Sequence, residues 1–109
     1  MARIITRFEI YWVNLDPTIG HEIKKVRPAV VVSPDELNRQ LATVLIAPLT
    51  STIRNYPFRP TVNINGVKGQ IVLDQIRAID KARLYSLMGM LSESVQEEVL
   101  IVLGELFSA

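Results

Sequence analysis

The chain contains no cysteine. That excludes a disulfide framework, a thiol nucleophile and cysteine-ligated zinc, and it agrees with a reducing compartment. Histidine is nearly absent too, with His21 the single example. The four aspartates and seven glutamates are scattered without D-x-D spacing, which argues against a two-metal nuclease. No glycine-rich phosphate loop is present, so neither a metal nor a cofactor is expected. Long apolar runs are missing as well. The opening MARIITRFEIYW is broken by Arg3, Arg7 and Glu9, so it reads as neither a signal peptide nor a membrane span. A cytoplasmic location is expected.

What is there suits one domain spanning residues 1–109, 49% apolar, with a single modest core. At this size stability leans on a partner surface, and self-association is expected. The net charge of +1 hides an asymmetry. Residues 1–83 hold all 12 Lys and Arg and seven acids, giving +5, whereas residues 84–109 hold four glutamates and no base, giving −4. The first part attracts a polyanion and the last repels one. The excess is too small to establish a nucleic-acid partner by itself.

Aromatic and β-branched Phe8–Leu15 predicts a strand, ended by the turn residues Asp16-Pro17-Thr18-Ile19-Gly20. The run Pro28–Val32 predicts a strand buried on both faces. Ser33-Pro34-Asp35-Glu36 has the order of a capped helix start, Ser33 capping and Pro34 in the first turn, with the helix ending near Arg39 or Gln40. Thr43–Leu49 is a second buried strand, in which Pro48 predicts a bulge or an edge. Arg59–Ile64 alternates with period two, and Asn65-Gly66 is a hairpin signal. Gln70–Ile79 reads as one long strand interrupted by polar residues. Asp80–Leu84 reads as a short turn or helix and Tyr85–Leu91 as a last strand weakened by Gly89. Val95, Val99, Val102, Leu103 and Leu106 mark a terminal helix, capped at Ser92 or by Ser94 with Glu97. Short strands with one terminal helix predict a mainly β fold, a bent sheet or small barrel, and not a doubly wound one.

A chain poor in metal ligands can still cleave RNA, because the 2′-hydroxyl attacks the neighbouring phosphate. Such a reaction needs a base, a cation or donors for the phosphorane, and an acid for the leaving oxygen. His21, Arg27 and Thr50 fill those places if the fold gathers them. Each also has a plainer reading. His21 is otherwise a surface residue, although its ordinary pKa of about 6.5 suits proton transfer at neutral pH. Arg27 otherwise pairs with a carboxylate, and Thr50 otherwise caps a loop. Asp74, within an apolar run, needs a partner such as Arg77, Arg27 or a backbone donor; it is either a loop-holding ion pair or catalytic. Tyr11 and Trp12 alternate on the first strand, so one faces the core and the other an interface or a base.

Four blocks of this sequence resemble the MazF/PemK family of toxin endoribonucleases: Leu15-Asp16-Pro17-Thr18 with Gly20 and Glu22, Arg27-Pro28-Ala29-Val30-Val31-Val32-Ser33-Pro34, Pro48-Leu49-Thr50-Ser51, and Asp74-Gln75-Ile76-Arg77. They stand in the family's order and cover most of the chain from about Ile10. The resemblance implies a small SH3-like barrel of the CcdB/PemK type that forms a homodimer. It implies metal-independent cleavage of single-stranded RNA to 2′,3′-cyclic phosphate and 5′-hydroxyl ends, and neutralisation by an antitoxin with a disordered acidic segment. It implies catalysis by Arg27 and Thr50, as in MazF-like members, with His21 and Asp74 matching the PemK-like ones. RNA contacts would fall to Glu22, Lys24, Lys25, Ser51, Gln75 and Arg77, and Gly20–Val26 would be a mobile cationic loop. PemK-like members carry an arginine two residues before the aspartate, where this chain has Val72. Phe8 stands where a glycine is common, and Ile23 where a glutamine is frequent. Two other readings stay open: a CcdB-like toxin that binds gyrase, and an RNA-binding barrel without activity.

Overall fold

The computed structural model describes residues 3–109; the first two residues of the N-terminal run lie outside them. Seven strands and two helices follow in the order β1 (Glu9–Asn14), β2 (Val26–Val31), α1 (Asp35–Gln40), β3 (Thr43–Thr50), β4 (Thr61–Ile64), β5 (Val67–Ile71), β6 (Arg77–Asp80), β7 (Leu84–Met90) and α2 (Glu93–Leu106), with short 3-10 turns at Leu73–Gln75 and Lys81–Arg83. Every pairing is antiparallel. The sheet order is β4-β5-β3-β2-β1-β7, with β6 also on β3. The sheet curls into a half-barrel whose end strands β4 and β7 flank a groove of about 600 Å³.

The predicted strands form, with boundaries moved for physical reasons. β1 begins at Glu9, not Phe8, because Phe8 has a left-handed backbone with φ of 72°. That conformation costs an L-residue about 1–2 kcal/mol. It is held by Phe8 N donating to the Val31 carbonyl at 2.7 Å and by Leu91 N donating to the Phe8 carbonyl at 3.1 Å, while the ring is buried. A glycine would meet this backbone demand without strain; here a buried phenylalanine meets it. Asn65 and Gly66 both have positive φ (52° and 81°), the signature of a type I′ turn, and join β4 to β5 as expected.

The run Gln70–Ile79 is not one strand. β3 changes partner along its length: Thr43–Ile46 pairs with β6, and Leu49–Thr50 pairs with β5. The chain must therefore leave β5, turn at Leu73–Gln75, and rejoin β3 further along. Pro48 sits in the gap between those two partners, where no N–H is required, and its carbonyl accepts from Val72 N at 2.8 Å. It makes neither a bulge nor an edge. Ser33 does not cap α1; Pro34 occupies the cap position. The Ser33 hydroxyl instead donates to Asn38 Oδ1 and accepts from Leu45 N at 3.1 Å, all within the interior. At α2 the cap position is Ser92, whose side chain makes no cap hydrogen bond.

Burial on both faces of β1, β2 and β3 divides the interior in two, where one core was expected. One cluster joins Phe8, Ile10, Val30, Leu49 and Ile71 to Val99 and Val102 of α2. The other, across the sheet, joins Tyr11, Val13, Leu15, Val31, Ile46 and Ile79. Leu106, placed by periodicity on the apolar stripe, is 39% exposed at the end of α2.

Candidate active site

β2 and β3 set the central pair. Ala29 lies opposite Pro48 in their ladder, and two residues further the same register brings Arg27 level with Thr50. Both side chains line one pocket of about 360 Å³, together with Trp12, Ser51, Lys68 and Gly69. The approach of β5 is unusually close here: a Cβ on Gly69 would stand 2.8 Å from the Thr50 carbonyl oxygen. The Thr50 hydroxyl accepts from Thr52 N at 3.1 Å, which turns the chain out of β3. The hydroxyl keeps its proton free to donate.

Arg27 is half-buried. Among the described residues it has no carboxylate partner, which settles against the ion-pair reading. Among the described residues its side chain makes one hydrogen bond, a long one from Nε to the Lys24 carbonyl at 3.4 Å. Both Nη groups are left for an anion, and a planar guanidinium meets two phosphate oxygens at once. Of the first-strand aromatics, Tyr11 is the core residue. Its burial and its hydrogen bond to Glu9 push its pKa up to about 12. Trp12 is 39% exposed at the pocket wall. The sequence left the choice between them open; the register of β1 decides it.

The loop from Asp16 to Lys25 joins β1 to β2 just before Arg27 and is tied at both ends. Leu15 N donates to the Lys25 carbonyl at 3.0 Å, and Lys25 N to Asp16 Oδ1 at 3.0 Å. Glu22 accepts from Ile19 N at 2.6 Å, closing a turn inside the loop. His21, Lys24 and Lys25 are exposed, and among the described residues none of their side chains makes a hydrogen bond. Two further predicted RNA contacts bind this loop: Gln75 Oε1 accepts from Ile23 N at 2.9 Å, and Arg77 Nη1 donates to the Leu15 carbonyl at 2.8 Å. Arg83, which no motif marked, donates to the carbonyls of Asn14 and Asp16.

Asp74 lies outside the pocket that holds Arg27 and Thr50. Its partner is neither Arg77 nor Arg27 but Arg59, from the loop before β4. Nε and Nη2 of Arg59 meet Oδ1 and Oδ2 at 2.9 Å each. This pairing holds the Asp74 carboxyl below the usual carboxylate range against the opposing effect of burial. The Arg59 guanidinium also lies 4.9 Å from the ring centre of Tyr56, which stacks on Phe58 at 5.2 Å. Among the described residues, no three His, Asp or Glu side chains gather where they could hold a metal ion. No helix among them is long and apolar enough to cross a membrane.

A curled antiparallel sheet with one terminal helix, holding an arginine and a threonine in one pocket, defines the chain as a small half-barrel β protein. The fold overlays on the crystal structure of MazF from Deinococcus radiodurans with a TM-score of 0.84 and 31% identity, covering 96% of this chain and 97% of that one. A MazE–MazF structure from the same organism matches at a TM-score of 0.79 and 26% identity, covering 98% of both chains. In sequence, Endoribonuclease MazF of Staphylococcus epidermidis is 35% identical over 88% of this chain and 85% of its own length. Endoribonuclease EndoA of Bacillus subtilis is 31% identical over 88% of each. The family model for the PemK-like, MazF-like toxin of type II toxin–antitoxin systems matches residues 6–107, and the chain belongs to that family.

Proposed function

We propose that the protein is an endoribonuclease toxin that cleaves single-stranded RNA without a metal. The observation that carries this reading is the pairing of an arginine with two unpartnered Nη groups and a threonine hydroxyl in one pocket. Arg27 holds two non-bridging phosphate oxygens and stabilises the phosphorane as charge accumulates on them. Thr50 donates to the same phosphate or to the attacking hydroxyl, fixing the line of approach. The 2′-oxygen forms its bond to phosphorus as it loses its proton. The bond from phosphorus to the 5′-oxygen then breaks as that oxygen takes up a proton. The products are a 2′,3′-cyclic phosphate and a 5′-hydroxyl. His21 or Glu22, on the loop beside Arg27, assists the proton transfers. Lys24, Lys25 and Ser51 hold the backbone on either side.

Two relatives named as endoribonucleases support the activity, and the MazE–MazF structure supports an antitoxin as the partner that restrains it. Messenger RNA as substrate places the toxin in the cytoplasm, where cleavage halts translation. The active form is a homodimer. Exposed Tyr85, Leu87 and Met90 on end strand β7 supply apolar surface for it.

The test is incubation of a long single-stranded RNA in EDTA, with analysis of the ends formed. Cyclic phosphate and 5′-hydroxyl ends are expected, with cleavage lost in Arg27→Ala while its circular dichroism is unchanged. Intact RNA with the wild-type protein would refute the proposal.

A further inference from the structure

Two loops adjoin the Arg27–Thr50 pair in sequence. Asp16–Lys25 leads into Arg27, and Ser51–Pro60 leads out of Thr50. They are far apart in sequence, yet both are fastened to one short element. In the 3-10 turn Leu73–Gln75, consecutive side chains serve different loops. Asp74 takes the Arg59 fork from the second loop, and Gln75 accepts the Ile23 N–H of the first. The turn is itself well seated. Leu73 is buried in the core, Gln75 N donates to the Val72 carbonyl at 3.1 Å, and Val72 N donates to Pro48, two residues before Thr50.

The second loop is stiff around that anchor. Arg59 is sandwiched between Asp74 and Tyr56, and Tyr56 against Phe58. The buried Gln70 amide grips Arg54 from both sides, accepting from its N–H at 2.9 Å and donating to its carbonyl at 2.8 Å. Movement at Arg59 therefore passes to the turn rather than being absorbed locally. Both Asp74 oxygens already accept from the guanidinium, which leaves a weakly basic carboxylate poorly suited to take a proton from a ribose hydroxyl.

We propose that the Leu73–Gln75 turn couples the loop that precedes Arg27 to the loop that follows Thr50, with Arg59, acting through Asp74, and Gln75 as positioning residues. The inference rests on the endoribonuclease reading for its effect on RNA, but the coupling itself is measurable without activity.

The experiment uses full-length wild-type protein, Asp74→Asn, Arg59→Gln, the double variant and Gln75→Ala. Amide hydrogen exchange is read in residues 17–25 and 51–60. Arg59→Gln is expected to speed exchange in both loops, including the Ile23 amide. Exchange altered only in residues 51–60 would overturn the coupling. Cleavage is then measured on a long RNA and on a dinucleotide that contains only the scissile step. Asp74→Asn and Arg59→Gln are each expected to lower kcat/KM on long RNA by about tenfold, the double variant no further, because the two residues act as one unit. Dinucleotide kcat is expected to stay within about threefold. Loss of dinucleotide cleavage in Asp74→Asn but not in Arg59→Gln would make Asp74 a proton-transfer group and overturn its role as an anchor. Wild-type protein inactive on every RNA would refute the ribonuclease reading alone, leaving the exchange result to decide the coupling.

Discussion

Replacing Gly69 by alanine is expected to damage the pocket without adding or removing any functional group. A Cβ there would lie 2.8 Å from the Thr50 carbonyl oxygen, while ordinary contact begins near 3.4 Å. The difference, 3.4 − 2.8, requires β3 and β5 to part by about 0.6 Å. The atom met is backbone, so it cannot swing aside. Overpacking of this kind costs about 1–3 kcal/mol. The smaller entropy of an unfolded alanine returns about 0.4–1 kcal/mol. The net loss is about 1–2 kcal/mol, read as a fall in Tm of about 4–8 °C for each kcal/mol at this chain length. Because the strand that moves carries Thr50, kcat on RNA is expected to fall about tenfold, given that a 1 Å displacement costs about a hundredfold. Gly104→Ala is the matched control. Gly104 lies within α2, and nothing stands within 4 Å of its added Cβ. That variant is expected to gain about 0.5–1 kcal/mol with unchanged cleavage. The reasoning is refuted if Gly69→Ala melts as high as Gly104→Ala and cleaves as fast as wild type.

Phe8→Gly relieves about 1–2 kcal/mol of left-handed backbone strain but forfeits about 3–5 kcal/mol of ring burial. Urea unfolding should therefore show a net loss of about 2 kcal/mol or more. Arg27→Lys keeps the charge and loses the planar fork, so cleavage should fall about 10²–10³-fold with little change in RNA affinity, measured by kinetics alongside gel shift. Lys24→Ala and Lys25→Ala should each reduce the salt dependence of RNA binding by about one ion, read from the slope of log affinity against log salt. The Arg59 pairing depresses the Asp74 carboxyl. Its stabilising contribution is therefore present above the unfolded value near pH 4 and lost as pH falls through the lower folded value. Thermal melts of wild type and Asp74→Asn should differ at pH 7 and converge in that acidic window.

The elements governed by local rules were legible beforehand. The period of β1, the unbroken apolar run of β2, the Asn65-Gly66 turn and the stripe on α2 each reflect forces acting within a dozen residues. What escaped was decided at a distance. Gln70–Ile79 looked like one strand because nothing local reveals that β3 would take different partners along its two halves. Asp74 advertised a need for a cation, but Arg59 is remote in sequence and stands beside it only after the turn has formed. The hydrogen bonds of Gln75 and Arg77 to loop backbone were also hidden, because which unpaired N–H and C=O groups they meet depends on how distant segments fold together. Arg27 and Thr50 were selected by the chemistry that RNA cleavage needs and by motif resemblance; the ladder register explains why residues that far apart share a pocket.

Val72 bears on how such sites can change over time. It is fully buried, with its N–H bound to Pro48, and it stands where the resemblance to PemK-like members implies an arginine. Restoring that arginine by one substitution would put an unpaired guanidinium into packed apolar surroundings at a cost of several kcal/mol, a large part of the about 5–15 kcal/mol that holds a small domain together. On the proposed reading, the two arrangements of site residues are thus separated by a stability barrier. A lineage crossing between them must first loosen the interior behind β3, or carry a reserve of stability gained elsewhere.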